Sequence, residues 1–244
     1  MNNKKHVSLK DLAEELGVSV STVSRALKDS PEVGEEMRER VKKLAGEWNY
    51  RPNPFAISLL KNNPRIIGII VPDIVTHFYS SIISGISDVA RKNHYSVIIT
   101  SSYEQYELEK QCVEDLMNIR VEGIIACISQ ETTDYAHFES LIMQRVPLVF
   151  FDRVCLHGRC SCVVADNAES GKAATEHFLH HGAKRIGFIG GANHLDIVKQ
   201  RKHGYLDALR QYQIPIEREL IVCEKMTYEA VSYTHLTLPT KRIV

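Results

Sequence analysis

The chain has 244 residues, of which 44% are hydrophobic, and this length is too great for one small module, so we expect at least two domains. The formal charge of zero divides unevenly: residues 1–65 carry +3 and the rest −3, the pattern of a nucleic-acid-binding head on an acidic body. No signal peptide and no run near the roughly 18 apolar residues of a membrane span is seen, so we expect a cytoplasmic protein that does not bind membranes.

The first 50 residues predict three short helices around one small core. Ser8 is placed to cap the first helix, with Asp11 at the capping-box position and Gly17 at the end. Ser19 is placed to cap the second helix. Residues 35–48 have the apolar spacing of a third helix.

The second predicted helix carries a polar stripe. At 100° per residue, Val23 and Ala26 fall on one side of it, and Ser21 and Arg25 fall on the other. Two helices joined by a tight Gly-containing turn, the second exposing short hydroxyls and an Arg, indicate a helix-turn-helix. Arg25 can then reach a guanine edge in the major groove. The alternative is a capped surface helix, which spacing alone does not exclude.

A short apolar segment follows the third helix. In NYRPNPFAISLLKNNP, Pro52 and Pro54 prevent a simple continuation of that helix, and Asn53 is a suitable cap for a new one. We therefore expect a hinge helix over residues 54–60. Because it is too short to be stable alone in water, a partner must order it. The alternative is an ordinary linker.

Apolar strands alternate with amphipathic helices from Arg65 onward. Such runs predict parallel sheets covered on both faces, arranged as two α/β subdomains with a ligand cleft at the carboxyl ends of the strands. The predicted strands are IIGIIV, SVIITS, GIIACI and PLVFF, then IGFIG and LIVCE, and the helices lie near residues 78–93, 104–118, 135–144, 169–181 and 197–212.

The core carries no enzyme motif. GFIGGANH follows a strand but lacks the G-x-G-x-x-G spacing of a dinucleotide site, and G-x-S-x-G, H-E-x-x-H and P-loop patterns do not occur. We therefore expect neither catalytic residues nor a cofactor. Cys155, His157, Cys160 and Cys162 are possible zinc ligands, but their spacing matches no paired C-x-x-C, so we interpret them as an exposed loop and expect no metal site.

GVSVSTVSRAL, the following YRPN and the strand IIGIIVPD resemble the LacI/GalR (lactose-repressor) family of bacterial transcription regulators. The resemblance runs over about residues 8–230. It implies a helix-turn-helix head and a hinge helix joined to a periplasmic-binding-protein-like core. It also implies a homodimer that binds pseudo-palindromic double-stranded operator DNA and a small-molecule effector, a sugar or a sugar derivative. A transport-type binding protein would share the core but lack the head.

The same resemblance implies the DNA-contacting residues. Those expected to read bases are Val20, Ser21 and Arg25, those near phosphates are Ser19, Thr22 and Ser24, and those of the hinge region are Asn53, Ala56 and Leu59, with Leu59 as the minor-groove wedge. The chain departs from the family where Gly34 and Met37 replace the usual Ser and Thr, and where Ile57 replaces a common basic residue. These departures predict a weaker helix cap and a weaker electrostatic contact in the minor groove.

Four residues are expected to contact the effector by this resemblance. Phe78 and Tyr79 stand at its stacking positions, Asp152 can accept sugar hydroxyls, and Arg201 matches the Arg that anchors the effector from the second subdomain. The alternatives are core packing for the aromatic residues and, for Asp152, a loop cap with Arg153.

The expected organisation is a head over residues 1–52, a hinge and linker over 53–65, and core subdomains over 66–160 and 161–230. After residue 230, VSYTHLTLPTKRIV resembles translated adapter sequence more than a repressor tail, so we expect residues 231–244 to be non-native and the second subdomain to be incomplete. Such a chain would bind DNA only weakly and would show no saturable sugar response. The alternative is a genuine polar C-terminus.

Overall fold

The structure is a computed structural model that describes residues 7–50 and 64–224. The chain divides into two compact units, Met1–Pro64 and Arg65–Val244. The predicted hinge helix over residues 54–60 and the predicted non-native tail over residues 231–244 both lie outside the described residues.

The head unit contains the three predicted helices, α1 (Leu9–Leu16), α2 (Val20–Ala26) and α3 (Glu35–Glu47). The capping box before α1 is confirmed: the Ser8 N–H donates to Asp11 Oδ2 at 2.9 Å and the Asp11 N–H donates to Ser8 Oγ at 3.3 Å. Gly17 ends α1 with a φ of 65°, a conformation that costs glycine little. Gly34 begins α3 without a side-chain hydrogen bond, as its departure from the family predicts.

One apolar core holds the head together. The residues that it buries most completely come from all three helices, and they are Leu12, Val23, Ala26 and Val41. The predicted inner side of α2 is therefore confirmed, since Val23 and Ala26 are both fully buried.

The second unit begins with a five-stranded parallel sheet in the order β2-β1-β3-β4-β5. Its strands are Ile66–Val71, Ser96–Ser101, Gly123–Ala126, Leu148–Phe151 and Ser161–Val163, numbered β1 to β5, and its helices are α4 (His77–Lys92), α5 (Tyr106–Ile119) and α6 (Ala136–Met143). Phe138 of α6 and Phe150 of β4 pack edge to face in its core, with ring centroids 4.9 Å apart.

Strand β5 was not predicted from the sequence. It pairs with β4 in the first sheet, so that sheet continues through Val163, past the expected subdomain boundary at residue 160. The helix expected near residue 104 begins instead at Tyr106, because Tyr103 and Glu104 adopt left-handed backbone conformations with φ of 48° and 61°.

The described part of the second subdomain is smaller. It consists of α7 (Asn167–His180), β6 (Phe188–Gly190), α8 (Asp196–Gln211), a 3₁₀ turn (Arg218–Leu220) and β7 (Ile221–Cys223), with β6 and β7 forming a two-stranded parallel sheet. The two predicted α/β subdomains, each with a parallel sheet, are thus confirmed. Within the described ranges, every helix is too short or too polar to cross a bilayer.

Candidate nucleic-acid interface and effector cleft

The start of α2 is organised by the hydroxyl of Ser19. Its Oγ accepts the backbone N–H of Thr22 at 3.1 Å and lies 2.7 Å from Ser21 Oγ and 2.8 Å from Thr22 Oγ1. Part of the hydroxyl-rich sequence therefore serves the helix itself, because a cap satisfies an N–H group that the first turn leaves unpaired. This local role is compatible with a second role toward a partner.

The outer side of α2 is exposed. Val20 is 44% exposed, and Ser21 and Arg25 are exposed beside it. Thr22 and Ser24 are half-buried. The candidate base-reading residues Val20, Ser21 and Arg25 thus lie on one accessible surface. The candidates Asn53, Ala56 and Leu59 lie outside the described residues.

The cleft is located by the order of the strands. From β1 the chain passes to β2 on one side, and β3 is added on the other side, so the switch point of the sheet lies between the carboxyl ends of β1 and β3. Asp73 follows β1 there, and its two carboxylate oxygens accept the N–H groups of Val75 and Thr76. The N–H of Val75 lowers the pKa of Asp73, since it favours the charged form.

The two aromatic candidates occupy different environments. Phe78 is 51% exposed, whereas Tyr79 is 7% exposed and belongs to the core. The Tyr79 ring packs edge-on against Phe151, and its hydroxyl lies 3.6 Å from the Sγ of Cys127. Burial raises the pKa of Tyr79 and raises that of Cys127 to about 12, so both groups stay protonated at neutral pH. Phe78 is therefore the aromatic ring that remains accessible.

Asp152 directly follows β4 and has a left-handed φ of 57°, and its N–H donates to the carbonyl of Val163 at 3.1 Å. Burial raises the pKa of its carboxyl group, and the positive charges of Arg153 and Arg201 oppose that shift. Since Arg201 belongs to α8, the structure brings the candidate carboxylate of the first subdomain near the candidate guanidinium of the second.

Arg201 is held by its own subdomain. Its Nε donates to Asn167 Oδ1 at 2.9 Å, and the Asn167 amide donates to the Ala165 carbonyl at 3.1 Å. Asn167 is only 3% exposed, so it is a fixed support rather than a free ligand.

Sequence reasoning missed the partner of Arg153. The Nη1 of Arg153 lies 2.8 and 2.7 Å from the two carboxylate oxygens of Glu104, which also accepts the N–H of Gln130 at 2.7 Å. The expected alternative, a loop cap between Asp152 and Arg153, stays a prediction, since the charge of Arg153 still acts on the Asp152 carboxyl group.

A buried carboxylate was also missed. Glu109 of α5 is fully buried, and it accepts the N–H of Ser129 at 2.6 Å and the hydroxyl of Thr132 at 2.7 Å, while His137 Nε2 lies 2.9 Å from it. These contacts order the loop that follows β3, next to the switch point.

The cysteine-containing segment is not the exposed loop that the sequence predicts, since Cys155 is 3% exposed and Cys162 lies in β5. Burial raises the pKa of Cys155, and it raises that of Cys160 to about 11, so both thiols stay protonated at neutral pH. His157 Nε2 lies 2.5 Å from Asp196 Oδ2. Across residues 7–50 and 64–224, the structure places no three His, Cys, Asp or Glu side chains so that they could hold a metal ion.

Two family models match this chain. Residues 1–53 match "Bacterial regulatory proteins, lacI family", and residues 65–234 match "Periplasmic binding proteins and sugar binding domain of LacI family". The chain belongs to the LacI family. Both halves of the family's architecture are thus represented.

Individual relatives agree with this assignment. The chain is 33% identical over 220 residues to the HTH-type transcriptional regulator MalR of Streptococcus pneumoniae (strain ATCC BAA-334 / TIGR4), covering 88% of this chain and 66% of that protein. It is 34% identical over 210 residues to the ribose operon repressor of Bacillus subtilis (strain 168), covering 86% of this chain and 62% of that protein. This LacI-family chain therefore spans just under two thirds of the length of these relatives.

Among solved structures, the chain is similar to the lac repressor dimer bound to operator and the anti-inducer ONPF. The TM-score is 0.70 at 25% identity, and the match covers 93% of this chain and 68% of that one. The predicted fold, a helical head followed by a parallel α/β core, is confirmed by this match.

Proposed function

We propose that this LacI-family chain binds specific double-stranded operator DNA as a homodimer and regulates transcription. The observation that carries the proposal is the exposed side of α2, where Val20, Ser21 and Arg25 lie opposite the fully buried Val23 and Ala26. An exposed Val and an exposed Arg on the second helix of a helix-turn-helix suit apolar and bidentate contacts with base edges. The function needs no catalytic step, and the named relatives are regulators.

We further propose that a sugar or sugar derivative binds in the cleft of the core. Asp152 offers carboxylate oxygens to hydroxyl groups, Arg201 offers N–H donors from the other subdomain, and Phe78 offers an accessible ring on which a sugar face can pack. The match to a sugar-binding family model and the similarity to a ribose operon repressor support this ligand class.

Effector binding would control DNA binding through the angle between the subdomains. A ligand held by both Asp152 and Arg201 favours one angle, and a change in that angle alters the spacing of the two heads in a dimer. Whether the effector releases or strengthens the complex depends on which angle matches the operator.

The experiment begins with selection of preferred duplexes from a random pool by the full chain. Affinity for the selected duplex and for a scrambled duplex is then measured by fluorescence anisotropy at two salt concentrations and with a panel of sugars. We expect preference for the selected duplex and a steep salt dependence from phosphate contacts. A change in affinity with one class of sugar would support the proposed cleft and would contradict the expectation of an incomplete second subdomain. Equal affinity for both duplexes would contradict operator recognition. Sugar binding without any change in DNA affinity would indicate a sugar-binding module without regulation.

A further inference from the structure

Arg25 has a carboxylate neighbour in the head. Its Nε lies 3.4 Å from Oε2 of Glu32, and the two side chains are 55% and 67% exposed. Within the described residues, the two terminal nitrogens of the Arg25 guanidinium donate no hydrogen bond. The shortest contact between the two side chains therefore runs through Nε, and the terminal nitrogens of Arg25 donate no hydrogen bond to Glu32.

The turn that carries Glu32 is fixed to Arg25 through the backbone. The Ser30 N–H donates to the carbonyl of Arg25 at 3.1 Å, and the Val33 N–H donates to the carbonyl of Ser30 at 3.2 Å. The Ser30 hydroxyl accepts the N–H of Glu32 at 3.4 Å. Val33 is 7% exposed and packs into the head core, so it anchors the turn beside Glu32.

The same turn is also joined to α3. Lys42 Nζ lies 2.6 Å from Asp29 Oδ1, and Arg38 Nη1 donates to the Asp29 carbonyl at 3.5 Å. The hydrogen bond between Lys42 and Asp29 lowers the pKa of Asp29 and raises that of Lys42, which keeps both groups charged across the neutral range. Glu32 thus projects from a turn held on both sides, and its carboxylate is a defined partner for Arg25.

Guanine is read by Arg through two parallel N–H donors, which must be aimed at the O6 and N7 atoms together. A long Arg side chain loses considerable rotamer freedom when it is aimed in this way. A carboxylate at Nε restricts the guanidinium plane before DNA arrives while leaving the terminal donors free. The same negative charge near the phosphates weakens binding to every sequence.

We infer that Glu32 is a positioning residue, which orients Arg25 for guanine and raises sequence discrimination while lowering non-specific affinity. The inference rests on the proposed function, since it requires Arg25 to read a base pair. An exposed ion pair contributes little to folding stability, so the role belongs to DNA recognition and should leave the thermal midpoint nearly unchanged.

The test measures the affinity of the full chain for the selected duplex and for the same duplex with the guanine pair read by Arg25 replaced. Glu32→Ala should bind the replaced duplex more tightly and should reduce the affinity ratio between the two duplexes by about two- to fivefold, the range of an exposed ion pair. Glu36→Ala is the matched control, because it removes the same charge from an exposed position of the head. It should strengthen binding to both duplexes by one factor.

Two further variants separate orientation from charge. Glu32→Gln keeps an oxygen acceptor of the same reach and should retain more of the affinity ratio than Glu32→Ala does. In an Arg25→Ala background, Glu32→Ala should leave the ratio unchanged, because the group that it orients has been removed.

Three results would overturn the inference. If Glu32→Ala leaves the ratio of the two affinities unchanged and shifts both affinities as Glu36→Ala does, Glu32 acts only through its negative charge and does not orient Arg25. A higher ratio would make it a competitor of guanine for Arg25. A wild-type chain with no preference between the duplexes would remove the proposed function and the role of Glu32 together, and that result is distinguishable from the other two.

Discussion

Gly171 of α7 lies directly against the backbone of Arg201 in α8. A Cβ atom at position 171 would fall well inside 3.0 Å of the Arg201 carbonyl oxygen, and one at Gly204 would overlap the carbonyl oxygen of Ala168. The two helices therefore touch through their backbones, which leaves no room for a side chain at either glycine. This contact sets the distance between the backbones of α7 and α8 near Arg201, whose Nε donates a hydrogen bond to Asn167 Oδ1.

We expect Gly171→Ala to separate these helices. Because the obstructing atoms are backbone, the strain cannot be relieved by a rotamer change, and the free energy of unfolding should fall by about 1–3 kcal/mol or more. Denaturant titration followed by circular dichroism measures this change.

Gly85→Ala is a control for which the opposite change in stability is expected. Gly85 lies in the middle of α4 and is exposed, and a Cβ atom at this position would have no neighbour within 4 Å outside its own helix. The same substitution should therefore stabilise the chain here by about 0.5–1 kcal/mol. Equal effects of the two substitutions would contradict a backbone contact at Gly171.

Ser19→Ala should destabilise the head. The substitution removes the acceptor for the Thr22 N–H at the start of α2, and an N-cap of this kind contributes about 1 kcal/mol. Amide hydrogen exchange at Val23 and Ala26, measured in the full chain, should become faster. Ser21→Ala loses only a hydroxyl contact with Ser19, so exchange there should stay close to that of the wild type.

Glu109→Ala should cause a much larger loss of stability. It leaves the Ser129 N–H, the Thr132 hydroxyl and His137 without their buried acceptor, and breaking a buried polar cluster of this kind costs about 3–5 kcal/mol. Thermal denaturation measures the change. Glu109→Gln, which keeps one acceptor oxygen, should fall between Glu109→Ala and the wild type.

Glu107→Ala is the matched control for that series. Glu107 lies in the same helix, and its side chain is 77% exposed and forms an i,i+3 pair with Lys110. Its removal should change the stability by less than about 0.5 kcal/mol. A comparable loss in Glu107→Ala would show that the effect comes from α5 itself and not from the buried cluster.

Asp152 makes a specific contribution to the pH dependence of stability. Burial raises the pKa of Asp152, so the folded state holds this proton more tightly than the unfolded state does. Protonation of Asp152 stabilises the folded state at pH values below the ordinary pKa of a carboxyl group. This stabilisation is lost as the pH rises through the raised pKa of Asp152. Asp152→Asn should therefore raise the thermal midpoint at neutral pH, and the difference from the wild type should shrink on acidification.

Asp73 should contribute to the pH dependence of stability with the opposite sign. Backbone N–H groups lower the pKa of Asp73. Ionised Asp73 therefore stabilises the folded state above the ordinary pKa of a carboxyl group, and this stabilisation is lost as the pH falls through the lowered pKa. Asp73→Asn should lower the midpoint at neutral pH. Parallel melts of both variants from about pH 3 to 8 bracket the carboxyl range and check the two signs. A shift of the same sign in both would contradict the assignment of their environments.

The head could be predicted closely from the sequence because its signals are local. Ser8 and Asp11, three residues apart, form hydrogen bonds with each other, and Ser19 caps α2 by accepting the N–H of Thr22. Gly17 ends α1 because its own backbone adopts a left-handed conformation. Each of these relationships is complete within one turn of helix, so no knowledge of the tertiary structure is needed.

The cleft could be predicted only in outline. The strands follow from their apolar runs, except β5, whose three residues include the exposed Ser161 and Val163 and thus show no such run. Glu104 and Arg153 are 49 residues apart, so their pairing forms only once the tertiary structure is in place. The burial of Tyr79 depends likewise on Phe151, which approaches it only after the sheet has formed.

The partners of Glu109 lie 20, 23 and 28 residues after it in the chain. During synthesis, His137, the last of them, is added 28 residues after Glu109 and before the second subdomain is made. Short loops of this kind close at low entropic cost, and domains fold from their N-terminal side as they are synthesised. The buried carboxylate of Glu109 can thus exchange water for protein partners on the ribosome, before the second subdomain exists.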